Sequence, residues 1–219
     1  MAEPATMTLV GGSLAAVVLR YVARQYRRFK PVLDFVGAAV LLVLLSPVIL
    51  LAAALVKLTS RGPAFYRQER VGENGKIFKM IKIRTMVADA EAKCGPVWAR
   101  RGDPRVTLVG RLLRRTHIDE FPQLINVLRG EMSLVGPRPE RPHFVETLRR
   151  EIRGYDRRLT VRPGITGLAQ VRNGYDVTVE GVRRKVRYDL LYARKVCALL
   201  DVRILLATLS KFFVDEYAE

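Results

Sequence analysis

Cysteine and tryptophan are scarce in this chain, with two and one among 219 residues. Cys94 and Cys197 stand in unrelated contexts with no C-x-x-C pattern, so neither a disulfide framework nor a zinc site is indicated. Thiols of this kind suit a reducing, cytoplasm-facing domain. Acidic residues are also few: 21 Asp+Glu face 38 Lys+Arg, a formal charge of +17. That balance favours nucleic acid, anionic lipid or phosphorylated substrates, and charge alone does not choose among them. The eight Phe, eight Tyr and single Trp form no recognisable basic-aromatic module, so no nucleic-acid partner is expected. Internal repeats and low-complexity linkers are absent, and the length is enough to bury a core.

Long apolar runs, by contrast, are present. Phe35 to Val56 is 22 residues without a charge, about 33 Å as one helix against a hydrocarbon core of roughly 30 Å. Both flanks are basic, with Arg20, Arg24, Arg27, Arg28 and Lys30 before the segment and Lys57, Arg61, Arg67 and Arg70 after it. The positive-inside rule wants such residues on the cytoplasmic side. A straight crossing puts one cluster on the wrong side, whereas a re-entrant segment keeps both together. Ser46-Pro47 sits at the centre. Pro47 has no N-H for the Val43 carbonyl and its ring crowds that turn, so a kink is expected, with Ser46 able to satisfy part of the freed backbone. A bend there gives two arms of about 17 Å each. A kinked spanning helix is the alternative, because membrane helices tolerate proline. The earlier stretch Met7 to Leu19 is too short to span and lacks the basic n-region of a signal peptide, so it reads as an interfacial or poorly determined N-terminus.

Residues 57–219 carry 33 basic and 19 acidic residues, a formal +14, and read as one domain joined directly to the apolar segment. Its first element, "AFYRQERVGENGKIFKMIKIRT", is two strand-like runs joined at Asn74-Gly75, a strong hairpin signal. Alternation puts Lys82 and Arg84 on the same strand face, which by itself suits a solvated face. Past the loop around Gly95-Pro96 and Gly102-Asp103-Pro104, helical spacing dominates. Phe121, Leu124, Ile125 and Leu128 predict a short helix ending near Gly130. Leu199, Val202, Leu205, Leu206, Leu209, Phe212 and Phe213 form a broad stripe suited to the membrane interface or, more commonly, to a domain core.

The most informative stretch is "RRTHIDEFPQLINVLRGEMSLVGPRPERP". Pro122 is tolerable in a helix only in its first turn, which predicts Asp119 near the N-cap, where a phosphoryl group would meet free backbone N-H groups. A plain capping role for Asp119 is the simpler alternative. Arg114 and Arg115 lie upstream, and Arg138 is held between Pro137 and Pro139, a restricted backbone that suits a phosphate clamp. Adjacent carboxylates also suit Mg2+.

"DEFPQLINVLRGEMSLVGPRP", with "YRQERVGENGKIFKMIKIRTM" before it and "RPGITGLAQV" after it, resembles the bacterial sugar transferase family, the monotopic phosphoglycosyl transferases, from about Lys30 to about Phe213. The resemblance is to the short form of the family. It implies transfer of a sugar 1-phosphate from a UDP-sugar to polyprenyl phosphate, with Mg2+, at the cytoplasmic face of the bacterial inner membrane. By position in the motif it implies Asp119 as the nucleophile that forms an aspartyl-phosphosugar and expels UMP. Glu120 is implied as its partner in catalysis and Mg2+ binding, and Arg114, Arg138 and Lys82 as phosphate-binding residues. Ser46 and Pro47 match the family's break in a re-entrant membrane helix. His117 has a variable place in the motif. Tyr188, Asp189, Tyr192 and Asp201 match the family's C-terminal pattern, without the aromatic and Asn residues often seen between Tyr192 and Asp201.

The expected fold is α+β and predominantly helical: an N-terminal segment over residues 1–30, a re-entrant helix over 31–58, and a cytoplasmic catalytic domain over 59–219 with a β-hairpin and interfacial amphipathic helices. Two other readings stand beside the enzyme. A membrane-anchored lipid- or nucleic-acid-binding protein explains the charge but not Asp119-Glu120 or the proline-framed Arg138. A glycosyltransferase that moves the sugar without its phosphate would release UDP. The sequence names neither the sugar nor the state of any homo-oligomer.

Overall fold

A computed structural model of the chain describes residues 7–92, 95, 97, 102–172 and 179–214. Its first element, α1, runs Met7–Thr59 and continues through both Pro31 and Pro47, so the helix begins well upstream of residue 31. Ser46 Oγ donates to the Val43 carbonyl at 2.8 Å, the group that Pro47 leaves without its backbone donor. Among the described residues this is the one helix long and apolar enough to cross a membrane, with a mean hydropathy of 2.9 in its apolar window. Val36, Val40, Val43, Leu44, Leu50 and Leu51 are exposed along it, while Ala38, Ile49, Ala52 and Val56 are buried. The buried residues on the two sides of Pro47 pack on one body. Ala38 joins Phe78, Met80, Leu124, Val127 and Met132, and Ile49, Ala52 and Val56 join Ile83 and Leu113.

The predicted hairpin is present. β1 (Phe65–Val71) and β2 (Ile77–Ile83) are antiparallel, from Phe65 opposite Ile83 to Val71 opposite Ile77. Asn74 and Gly75 take φ of 55° and 79° in the connecting turn, the left-handed conformation that this residue pair tolerates. Lys82 and Arg84 have different fates. Arg84 is buried and donates to the carbonyls of Ser60, Arg61 and Pro63 at 3.1, 2.5 and 2.7 Å. It thereby satisfies backbone groups where the chain leaves α1, and only Lys82 goes to the acidic pair.

After α2 (Leu108–Arg115) and α3 (Gln123–Leu128) comes a second, smaller sheet. In it β3 (Ser133–Val135) pairs in parallel with β4 (Gly164–Thr166). The helices α4 (Pro142–Glu151), α5 (Leu168–Arg172), α6 (Val179–Lys195) and α7 (Ala198–Val214) complete an α+β, predominantly helical body. Asp201 of α7 ties it to α1, accepting from Lys30 Nζ and Tyr26 OH, each at 2.7 Å, and from Tyr192 OH at 2.9 Å. The apolar stripe of α7 does not go into a core: Leu199, Val202, Leu205, Leu206 and Leu209 are exposed and Ile204 is buried. Leu108 and Leu112 of α2 are exposed as well. The side chains of Phe212 and Phe213, Cys94 and Pro96 lie outside the described residues. Cys197 is a free thiol.

Candidate active site

The acidic pair is set by a corner between α2 and α3. Thr107 Oγ1 caps α2 by accepting from the Gly110 amide at 2.9 Å. The helix ends at Arg115, and His117 turns the chain with a φ of 52°. His117 is therefore the corner residue of the site, in a left-handed conformation that is uncommon for non-glycine residues but that histidine, like Asn and Asp, adopts more often than most. A 3-10 turn over Ile118–Glu120 follows, with Glu120 N donating to the His117 carbonyl at 3.1 Å and Phe121 N to that of Ile118 at 3.2 Å. Pro122 directly precedes α3. Asp119 is thus in the tight turn and not at the helix N-cap, and no side chain caps α3. The proline has no N-H to continue an α-helix backwards, so the residues before it close with the shorter 3-10 pattern.

The two neighbouring carboxylates have different surroundings. Glu120 is gripped on both oxygens: Lys82 Nζ donates to Oε1 at 2.7 Å, Arg138 Nη1 to Oε2 at 3.0 Å, and Arg138 Nη2 to Oε1. Burial pushes the Glu120 carboxyl up, but Arg138 and Lys82 outweigh it and hold the group well below the usual carboxylate range. Asp119 is buried and makes no hydrogen bond or ion pair among the described residues. Burial pushes its carboxyl up to about 6, against the opposing charges of Lys82, Arg114 and Arg138. Arg114 is held beside the pair through Nε to Thr85 Oγ1 at 2.9 Å. Lys82, Arg114 and Arg138 are thereby gathered around Asp119-Glu120. Ser46 and Pro47 belong to α1 and lie outside this cluster.

The proline-framed segment is fixed at four successive carbonyls. Gly164 N donates to Pro137 O at 3.0 Å, Arg158 Nη2 to Arg138 O at 2.7 Å, Arg70 Nη1 to Pro139 O at 3.0 Å, and Val71 N to Glu140 O at 2.9 Å. Sequence reading missed Arg158, Arg70 and Asn126. Asn126 is fully buried, accepting from Ile81 N at 3.0 Å and donating to Lys79 O at 2.9 Å. This amide completes the edge of β2 and sets α3, just after the acidic pair, against the strand that carries Lys82. The available signal was a second polar residue, after Gln123, within the apolar run of α3.

The two carboxylates differ in what they could give a Mg2+, because both oxygens of Glu120 are already taken by Lys82 and Arg138. Asp119 offers an oxygen pair without a protein partner among the described residues, Glu120 adjoins it, and no group of three or more potential ligands occurs among those residues. Mg2+ commonly takes one or two carboxylates and completes its shell with phosphate oxygens and water.

The model for the family described as "Bacterial sugar transferase" matches residues 25–215. The chain belongs to the bacterial sugar transferase family. Among its relatives in that family, a UDP-glucose:undecaprenyl-phosphate glucose-1-phosphate transferase of Caulobacter vibrioides is 46% identical over 193 residues, covering 86% of this chain and 71% of that protein. A UDP-N-acetylgalactosamine-undecaprenyl-phosphate N-acetylgalactosaminephosphotransferase of Aeromonas hydrophila is 42% identical over 184 residues, covering 84% and 43%. The exopolysaccharide production protein PSS of Rhizobium leguminosarum bv. phaseoli is 38% identical over 187 residues, covering 82% and 92%. The chain spans less than half the length of several curated relatives it matches.

Proposed function

We propose that the chain transfers a sugar 1-phosphate from a UDP-sugar to a polyprenyl phosphate, such as undecaprenyl phosphate, and releases UMP, initiating the assembly of a lipid-linked glycan. The observation that carries this reading is the split within the acidic pair: Glu120 is neutralised by Lys82 and Arg138, while Asp119 is buried, unpaired among the described residues and pushed up to about 6. Divergent environments of adjacent carboxyls mark different roles. At neutral pH a group near 6 is mostly ionised, yet it is more basic than a carboxylate in water, which suits a nucleophile.

Asp119 attacks the phosphorus that bears the sugar. The bond from that phosphorus to the bridging oxygen breaks, and UMP leaves with the oxygen and the electron pair. The product on the protein is an aspartyl-phosphosugar. An oxygen of polyprenyl phosphate then attacks the same phosphorus, the Asp119 carboxylate is released, and the polyprenyl diphosphate sugar departs. Two displacements replace one harder step. Arg138, Lys82 and Arg114 put fixed positive charge where phosphate charge gathers. Asp119 would hold Mg2+, with Glu120 joining it once Lys82 or Arg138 releases an oxygen, and the bound ion would neutralise phosphate charge.

The site belongs on the cytoplasmic face of the bacterial inner membrane, with α1 re-entrant. Basic residues flank its apolar part on both sides, and residues before and after Pro47 pack on one body, which supports a return to the same face. There a soluble UDP-sugar and a membrane-bound lipid phosphate reach the same carboxylate. The test is the nucleotide released when the full chain is incubated with a panel of UDP-sugars, undecaprenyl phosphate and Mg2+. UMP is expected. UDP would instead identify transfer of the sugar without its phosphate, and no nucleotide from any donor would contradict the proposed activity.

A further inference from the structure

Two of the four groups that fix the proline-framed segment are side chains, and one of them is part of a buried pair with no role in the chemistry above. Arg158, in the 3-10 turn Tyr155–Thr160, and Asp189, in α6, are only 4% and 3% exposed. Arg158 Nε donates to Asp189 Oδ2 at 2.8 Å, Nη2 lies 2.7 Å from the same oxygen, and Nη1 donates to Tyr155 OH at 3.1 Å. The guanidinium sits 5.2 Å from the centroid of the Tyr155 ring. Nη2 also donates to the Arg138 carbonyl at 2.7 Å.

A buried ion pair is a weak source of net stability, because desolvation offsets the attraction, whereas it constrains geometry strongly. Here the constraint ends on the backbone of the residue whose own guanidinium forks onto Glu120. A rigid planar fork can serve three acceptors together, which a lysine ammonium on a flexible stem cannot do in the same geometry.

We propose that the Asp189–Arg158 pair is a positioning unit for Arg138: Asp189 orients Arg158, and Arg158 fixes the Arg138 backbone so that the Arg138 side chain meets Glu120 and the substrate phosphate. This rests on the reading of Arg138 as a phosphate-binding residue in the proposed reaction. Neither Asp189 nor Arg158 touches the reacting atoms.

The experiment is a double-mutant cycle on UMP release by the full chain in detergent, using the best UDP-sugar donor, with the melting temperature of every variant recorded. Arg138→Gln is expected to lower kcat about 100-fold and Asp189→Asn about 10-fold, with the KM for undecaprenyl phosphate unchanged. The double variant is expected to be no slower than Arg138→Gln alone, because a positioning residue has nothing left to position. A merely structural pair would lower the melting temperature and leave the two effects multiplicative, about 1000-fold together, which would overturn the proposal. So would single variants within about twofold of the parent kcat. If Asp189→Asn does not fold, Arg158→Lys replaces it in the same cycle; it keeps the charge pair but loses the fork and is expected to show the same loss and the same non-additivity. An Arg138→Gln enzyme with the parent turnover would contradict the underlying reading of Arg138 and remove this inference with it.

Discussion

At the scale of single residues, the Asp119 side chain is buried beside Lys82, Arg114 and Arg138 without a hydrogen bond from any of them, and its titration is linked to stability. Its pKa in the folded chain, about 6, lies above the ordinary 3.8. The folded state therefore keeps a proton that the unfolded chain has released, and stability falls as pH rises from about 4 to about 6, by on the order of 3 kcal/mol in metal-free buffer. Above that window the loss is complete and constant. Asp119→Asn removes the buried charge, so the variant is expected to melt at a higher temperature than the parent at pH 7.5 with chelator present. The gap should narrow toward pH 5. Thermal unfolding at the two pH values checks this, and a variant less stable than the parent at pH 7.5 would contradict it.

At the scale of elements, the small parallel sheet determines where Arg138 starts. β3 runs directly into Gly136 and the proline-framed segment, and Gly136 N donates to Thr166 O at 2.8 Å. A Cβ on Gly164 would lie 2.0 Å from Gly136 N and 2.6 Å from Gly136 Cα. Backbone cannot swing aside as a flexible side chain can. Gly164→Ala is expected to destabilise the fold by about 3 kcal/mol or more. Gly75→Ala has open space, its nearest neighbour being Arg149 Nη2 at 3.9 Å, and a φ of 79°, so it should cost only about 1 kcal/mol. Equal melting temperatures for the two variants would show that the β3–β4 approach is not tight.

The contrast between the two glycines also marks what the sequence makes legible. The hairpin is written locally, in Asn74-Gly75 and the strand-like runs around it, and α3 in the spacing of Phe121, Leu124, Ile125 and Leu128. The three-residue strands β3 and β4 are joined by a pairing of Ser133 with Gly164, a tertiary event that no local pattern announces. The N-cap expectation for Asp119 failed for a related reason. Pro122 limits the start of the helix, but it does not say whether the preceding residues form a cap or a 3-10 turn. Asp189 carried a signal of another kind, since an acid on the same stripe of α6 as Val182, Val186 and Ala193 implies a buried cationic partner. Only the fold supplies Arg158.

At the scale of the whole molecule, exposed apolar side chains gather on α1, on α2 through Leu108 and Leu112, and on α7 through Leu199, Val202, Leu205, Leu206 and Leu209. This is much apolar surface to leave in water, and it fits a body that rests in a bilayer interface. The α7 stripe was legible as a stripe, but its outward direction was not, because periodicity gives a face without saying what covers it. For the re-entrant arrangement, cysteines introduced as Arg28→Cys and Lys57→Cys in a Cys94→Ser, Cys197→Ser background are expected to react with a membrane-impermeant thiol reagent from the cytoplasmic side only. Labelling of the two positions from opposite sides would establish a plain spanning helix.

The central claim is that Asp119 is covalently loaded with the phosphosugar before the lipid phosphate arrives. Intact-mass spectrometry of the full chain incubated with its UDP-sugar and Mg2+, without polyprenyl phosphate, tests this directly. A mass increase equal to one sugar phosphate is expected, mapped to the peptide containing Asp119, absent in Asp119→Asn and discharged when undecaprenyl phosphate is added. An adduct that persists on Asp119→Asn, or UMP release with lipid acceptor present but no adduct at any time, would contradict it.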